Sequence, residues 1–280
     1  MTGKVVVITG GTSGIGQVAA ESLARMGARI VLIARSRTRG EATLARLREI
    51  GPAQSHTIHY ADVSRLAELR RVGKEVAAAE PRIDVLINNA GAMFGHRQTT
   101  EDGPELTFAT NHLSYFVLTH ALSERLITSA PARIVNTSSH AHYRGTLDFD
   151  DLQSSRDYRG FPVYCRSKLC NVLFTRALAK RLAGTGVITN SFHPGFVRTR
   201  FGDESGGFIG GMLRFWKIFA ISEEKGADTL IYLASSDDVA KSSGLYFYKR
   251  KPVEPSKLAQ DDAAAERLWS ETAKIAGIPE

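Results

Sequence analysis

The strongest constraint on this chain lies in its first 26 residues. Lys4-Val5-Val6-Val7-Ile8 is a continuous, mostly β-branched apolar run, the pattern of a strand buried on both faces of a parallel sheet. Thr9-Gly10-Gly11-Thr12-Ser13-Gly14-Ile15-Gly16 follows, and then Gln17 to Met26, with Val18, Leu23 and Met26 on one helical stripe. A glycine-rich turn thus joins a strand to a helix. Glycine admits positive φ and lets a phosphate approach the backbone, and a helix N-terminus offers free N–H groups and a partial positive charge. The spacing Gly10-x3-Gly14-x-Gly16 differs from the usual G-x-G-x-x-G. Alone, such a turn reads as a structural loop. Between this strand and this helix it reads as a nucleotide site, lined by Gly10, Thr12, Ser13, Gly14, Ile15 and Gly16.

The rest of the chain alternates in the same way. Strands are expected at Val5–Thr9, Arg29–Ala34, Ser55–Ala61, Val85–Asn88, Ala132–Thr137, Val187–His193 and Gly244–Phe247. Helices are expected near 14–26, 38–50, 64–78, 102–128, 163–182, 223–235 and 261–276. That order predicts an α/β fold, a single Rossmann-type doubly wound parallel sheet with helices on both faces. With 280 residues and 43% apolar content there is material for one large domain, expected to span 1–280. No apolar run is long enough for a membrane span. Met1 to Val5 enters the first strand at once, so no signal peptide is expected.

The two cysteines, Cys165 and Cys170, fall in one predicted helix and point in different directions. A reducing, cytoplasmic setting is the simple reading, with both thiols as small packing groups. Net charge is +7, and the densest basic patch is Arg35, Arg37 and Arg39. It has no interleaved aromatics, which argues against nucleic acid. His140 and His142 lack further ligands at a workable spacing, so no metal is expected.

Tyr164 and Lys168 stand four residues apart, one helical turn on the same face. A lysine cation beside a phenol is expected to pull the tyrosine pKa down and make it able to exchange a proton. Read with the glycine turn, Asn88-Asn89-Ala90-Gly91, Asn111, Ser139 and Pro194-Gly195, in that order, the sequence resembles the short-chain dehydrogenase/reductase family over nearly its whole length. Asn111-His112-Leu113, Arg133 to Ser139, the long interval from Ser139 to Tyr164, and Ala265-Glu266-Arg267-Leu268-Trp269 are most similar to the retinol dehydrogenase-like branch. The short N-terminus departs from that branch's membrane-anchored members.

The resemblance implies an NADP(H)-dependent carbonyl reductase, or the reverse alcohol dehydrogenase, acting on a small lipophilic substrate. Tyr164 would be the proton donor and Ser139 would hydrogen-bond the substrate oxygen, with Ser138 the competing serine. Lys168 would hold the nicotinamide ribose, and Asn111 would anchor a water linking Lys168 to solvent. Tyr164 and Lys168 thus also count as cofactor contacts. Asp62 and Val63 would meet adenine, and Asn88, Ala90 and Gly91 would contact the cofactor. Pro194, Gly195, Val197 and Thr199 would hold the carboxamide.

Cofactor choice turns on the end of the second strand, where an acid would bind the ribose and repel a 2′-phosphate. Here Ala34 is followed by Arg35 and Arg37, which would pair with that phosphate; a solvent-facing role for both arginines is the alternative. An aromatic segment at 196–222 suits a mobile cover over the substrate, and equally a core stripe, a subunit contact or a membrane-surface contact. The charged segment His140–Pro162 reads mainly as a solvated face. A homodimer or tetramer would use Leu113, Phe116, Val117, Leu169, Val172 and Leu173; the alternative is that the same residues face only the sheet. Competing functions are reduction of a conjugated C=C bond and cofactor binding without turnover.

Overall fold

The computed structural model describes residues 1–51, 53–195 and 221–279. Its elements run β1 (Val5–Thr9), α1 (Gly14–Arg25), β2 (Arg29–Ala34), α2 (Arg37–Ile50), β3 (Thr57–Tyr60), α3 (Leu66–Ala79) and β4 (Val85–Asn88). There follow α4 (Leu106–Phe108), α5 (Ser114–Thr128), β5 (Ala132–Thr137), α6 (Gly160–Arg181), β6 (Val187–Phe192), α7 (Glu223–Ser235), β7 (Tyr246–Tyr248), β8 (Lys251–Pro252) and α8 (Asp262–Ala276). Among the described residues the strands form one sheet in the order β3-β2-β1-β4-β5-β6-β7-β8. All neighbours pair in parallel except β7 and β8. The expected doubly wound sheet is what forms.

The apolar runs are strands because both of their faces are covered. Along β1, Val7 joins the core under α3, α5, α6 and α8, while Val6 and Ile8 join the core under α1 and α7. β2 splits likewise, with Val31 and Ile33 on the first side and Ile30 and Leu32 on the second. This two-residue alternation lets a continuous apolar strand serve two cores. The winding reverses between β1 and β4, so the crevice opens at their C-terminal ends.

Three features were not foreseen. β8 pairs Phe247 with Pro252 and Tyr248 with Lys251 through a turn at Lys249-Arg250, whose φ values are +48° and +63°. Left-handed turn positions ordinarily call for Asn or Gly. Here Arg250 is held by its N–H to Thr229 Oγ1 at 3.1 Å and by its guanidinium on Asp228. The predicted helix at 102–128 begins at Leu106 and opens into a π turn over Ala109–Leu113 before continuing as α5.

α8 lies over α5 and α6, with Trp269 4.8 Å from the Phe116 ring and stacked on Phe174 at 5.8 Å. The proposed subunit contacts Leu113, Phe116, Val117, Leu169, Val172 and Leu173 are therefore all buried within one chain. They are core, and α8 covers the helix pair through which a dimer was expected. The expected cover at 196–222 lies almost wholly outside the described residues, as do Val197 and Thr199. Among the described residues no helix is long and apolar enough to cross a membrane.

Candidate active site

The glycine turn is shaped by contacts that exclude side chains. Gly10 has φ +67°, and a Cβ there would stand 2.9 Å from the Ala90 backbone. A Cβ on Gly16 would come within 2.3 Å of Gly10 O and 2.4 Å of Asn89 Nδ2. Asn89 donates to the Thr9 and Gly10 carbonyls at 3.3 and 3.2 Å, and Thr9 Oγ1 accepts from the N–H groups of Asn89 and Ala90 at 3.0 and 3.1 Å. The loops after β1 and β4 are thus tied into one floor. Ser13, at the N-cap of α1, is exposed and makes no capping bond with its side chain. The first N–H groups of α1 remain available to an anion.

Asn88 does not belong to this floor. It is 0% exposed, and its amide donates to Thr119 and Asn136 at 3.0 and 2.9 Å. The expected cofactor contact at Asn88 is corrected on that ground. Asn88 shares its strand face with Leu86, two residues earlier, which points into the core. Asn89, which the sequence reading passed over, takes the position against the glycine turn.

At the tip of β2 no acid follows Ala34. Arg35 stands 3.7 Å from Asp62, and Arg37 lies over the Tyr60 ring at 4.5 Å. Asp62 Oδ1 accepts from Ser64 N and Oγ at 3.0 and 2.7 Å, so it shapes the turn into α3. Val63 packs half-buried against the core. At the far end Gly195 has φ +86° and donates its N–H to His193 Nδ1 at 3.2 Å, with Pro194 half-buried beside it.

The catalytic candidates meet where these loops converge. Tyr164 and Lys168 share a face of α6, with Lys168 Nζ 5.6 Å from the Tyr164 ring centre and 3.3 Å from the Thr137 carbonyl. Gly91 lies against Lys168 and Asn111, since a Cβ there would stand 3.2 Å from both Lys168 Nζ and Asn111 Oδ1. Asn111 sits in the π turn, and its side chain holds both backbone groups of Ala92, at 2.7 and 2.8 Å. Its own carbonyl accepts from Asn171 Nδ2 at 2.9 Å. Asn171 also reaches the Thr137 carbonyl at 3.1 Å and His112 at 3.3 Å, and His112 reaches Thr272 of α8 at 3.0 Å. A buried side-chain chain therefore runs from α8 to the carbonyl that holds Lys168. Neither Asn171 nor Thr272 carries a motif signal.

The two serines separate cleanly. Ser138 is buried and donates to the Lys168 carbonyl at 2.7 Å. Ser139 is half-buried at the start of a short turn, and its side chain hydrogen-bonds Tyr164. His142 braces it: Nδ1 lies 2.8 Å from the Ser139 carbonyl, while Nε2 accepts from Ser256 N at 3.1 Å. His193 stacks on Tyr248 at 4.0 Å and meets His140 at 5.5 Å, forming an aromatic wall beside Ser139.

Burial governs the proton affinities. It pushes the Tyr164 phenol up to about 12, against the lowering effect of the Ser139 hydrogen bond. It pulls Lys168 down to about 7. The expected lowering of Tyr164 by Lys168 is outweighed, because desolvation drives both groups toward their neutral forms. A neutral phenol is a proton donor. Among the described residues no cluster of His, Cys, Asp and Glu is placed to hold a metal.

The family model for short chain dehydrogenases matches residues 4–207 of this sequence. The chain belongs to the short-chain dehydrogenase family. Within it, the protein lies in the retinol dehydrogenase-like branch: human retinol dehydrogenase 13 is 41% identical, over 99% of this chain and 85% of its own length. Human retinol dehydrogenase 12 is 41% identical over 99% and 88% of the two chains. An uncharacterised protein from Mycobacterium paratuberculosis superposes with a TM-score of 0.80 at 31% identity, covering 99% of this short-chain dehydrogenase and 94% of that chain. A Beutenbergia cavernae protein described as an NAD(P)-dependent gluconate 5-dehydrogenase, with NADP bound, gives 0.67 at 26% identity, over 88% and 95%. The family is one of oxidoreductases that use a nicotinamide cofactor. The cradle fits such a group: the uncapped start of α1 offers N–H groups to its phosphates beside a glycine turn whose close packing leaves backbone, not side chains, at the surface.

Proposed function

We propose that the protein is an NADP(H)-dependent oxidoreductase that interconverts a carbonyl and an alcohol on a lipophilic substrate, with 1–280 working as one catalytic domain. The observation that carries this reading is the convergence of Ser139, Tyr164 and Lys168 beside Gly91, at the crevice end of the glycine turn. A bound reduced nicotinamide supplies the hydride. Gly10, Thr12 to Gly16, Ala90 and Gly91 hold its phosphates and ribose, and Pro194 and Gly195 flank its reactive end.

Tyr164 remains protonated at neutral pH, since its phenol is held up to about 12. It gives that proton to the substrate oxygen as negative charge develops there. Ser139 donates a hydrogen bond to the same oxygen and fixes its distance from Tyr164. Lys168 binds the ribose and, when charged, stabilises the phenolate left behind. Asn111 holds the Gly91–Ala92 loop against Lys168 through its two bonds to Ala92. The water link from Lys168 to solvent expected of Asn111 belongs to the same proposal.

Preference for NADP(H) is supported by Arg35 and Arg37 at the tip of β2, where Ala34 leaves no acid to repel a 2′-phosphate. A lipophilic substrate is supported by the aromatic wall of His140, His193 and Tyr248, and by relatives named for retinol, an apolar alcohol.

The test is NADPH consumption against a panel of lipophilic aldehydes and ketones, with Tyr164→Phe beside the parent. Turnover should fall by about 10²–10⁴-fold while NADPH binding persists. Turnover indifferent to Tyr164 would exclude the acid role.

A further inference from the structure

We propose that Tyr60 is a specificity-determining residue: its ring is the platform that holds Arg37 in place for a 2′-phosphate. This rests on the NADP(H) reading above and extends it to a side chain that no motif marks.

Three observations converge on Tyr60. The first is register. Tyr60 is the last residue of β3 and the direct partner of Ala34 on β2. It therefore lies across from the position where an acid would select the unphosphorylated ribose. The second is the cation–π contact. The Arg37 guanidinium lies 4.5 Å above the ring centre, well inside the range in which a cation is attracted to an aromatic face. Arg37 needs such a hold, because it opens α2, whose first turn carries no acid. A cation at a helix N-terminus is disfavoured by the helix dipole, and a long exposed side chain loses rotamer entropy when it is fixed.

The third observation is how the ring itself is fixed. The phenol donates to Glu41, on the next turn of α2. A Cβ on Gly40 would come 3.0 Å from Tyr60 Cε1 and 2.5 Å from Ile58 Cδ1. The missing side chain at 40 lets β3 press its tyrosine against α2. Register, glycine gap and carboxylate anchor together hold one ring face under one guanidinium. Tyr60 touches no reacting atom. It is a positioning residue for Arg37.

The experiment measures dissociation constants of NADPH and NADH for the whole protein, parent and variants, by cofactor fluorescence. Tyr60→Leu removes the platform, and Tyr60→Phe keeps it while losing the bond to Glu41. Tyr60→Leu should weaken NADPH by about fivefold and leave NADH within about twofold, while Tyr60→Phe keeps most of the preference. An unchanged NADPH-to-NADH ratio in Tyr60→Leu, with the parent preferring NADPH, overturns this inference and leaves the cofactor reading intact. Equal affinity of the parent for both cofactors overturns both. A matched loss of NADPH and NADH in Tyr60→Leu marks a purely structural tyrosine and also overturns the inference.

Discussion

The two sides of the crevice are built from different material. Around the tips of β1 and α1 the surface is backbone: glycines too close to their neighbours for a side chain, and N–H groups at a helix start. Around β5 and α6 it is buried side chains: Lys168 and Asn171 both donate to the Thr137 carbonyl, and Asn171 also joins the Asn111 carbonyl and His112. The first side is shaped by what is missing and the second by what is satisfied. A backbone site fails sterically, through one added carbon. A side-chain site fails electrostatically, through one unpaired or charged group.

The largest effects should separate the two sides by readout. Gly16→Ala puts a carbon 2.3 Å from Gly10 O, and cofactor affinity should fall by about 100-fold or more, a shift of ~2.7 kcal/mol or more. Ser139→Ala should lower kcat by about 10²–10³-fold with cofactor affinity kept. Ser138→Ala, which loses a bond to the Lys168 carbonyl, should cost about 1 kcal/mol of stability and far less rate. Equal kcat losses at both serines would break the assignment.

Next comes acid. Burial holds His112 down to about 4, below its ordinary 6.5, so the unfolded chain takes up the proton first. The stability that neutral His112 permits is present above pH 6.5 and is lost as pH falls toward 4, on the order of 1–3 kcal/mol. Thermal midpoints measured across that window should flatten in His112→Gln. An unchanged slope would remove His112 as the cause.

A last, small effect tests the seam. Thr9→Val leaves the N–H groups of Asn89 and Ala90 without their shared acceptor. A loss of about 1–2 kcal/mol is expected by chemical denaturation, with Tyr164-dependent turnover retained.

The backbone side was the more legible in sequence. A β-branched run, three spaced glycines and a helical stripe each have a local cause, and local causes can be read from neighbours. The side-chain side depends on partners far along the chain: His112 meets Thr272, and His142 meets Ser256. No spacing announces such pairs. Asn88 was misplaced although strand alternation with Leu86 was there to read. β8 gave no signal because its left-handed turn is built from Lys249 and Arg250, held from outside by Thr229 and Asp228. The apolar faces of α5 and α6 were plain, but their cover by Trp269 of α8 was not.

The π turn at Ala109–Leu113 has one further consequence. An α-helix advances about 100° per residue, and a wider turn accommodates an added residue without ending the helix. The added residue works as a phase shift between two screws on a common axis. Thr107 and Phe108 before it are buried, as is every residue from Asn111 to Thr119 after it. Deleting Thr110 would restore the ordinary pitch and rotate the segment before the bulge by about 100° against α5. The bulge that presents Asn111 thus also sets the phase between the two.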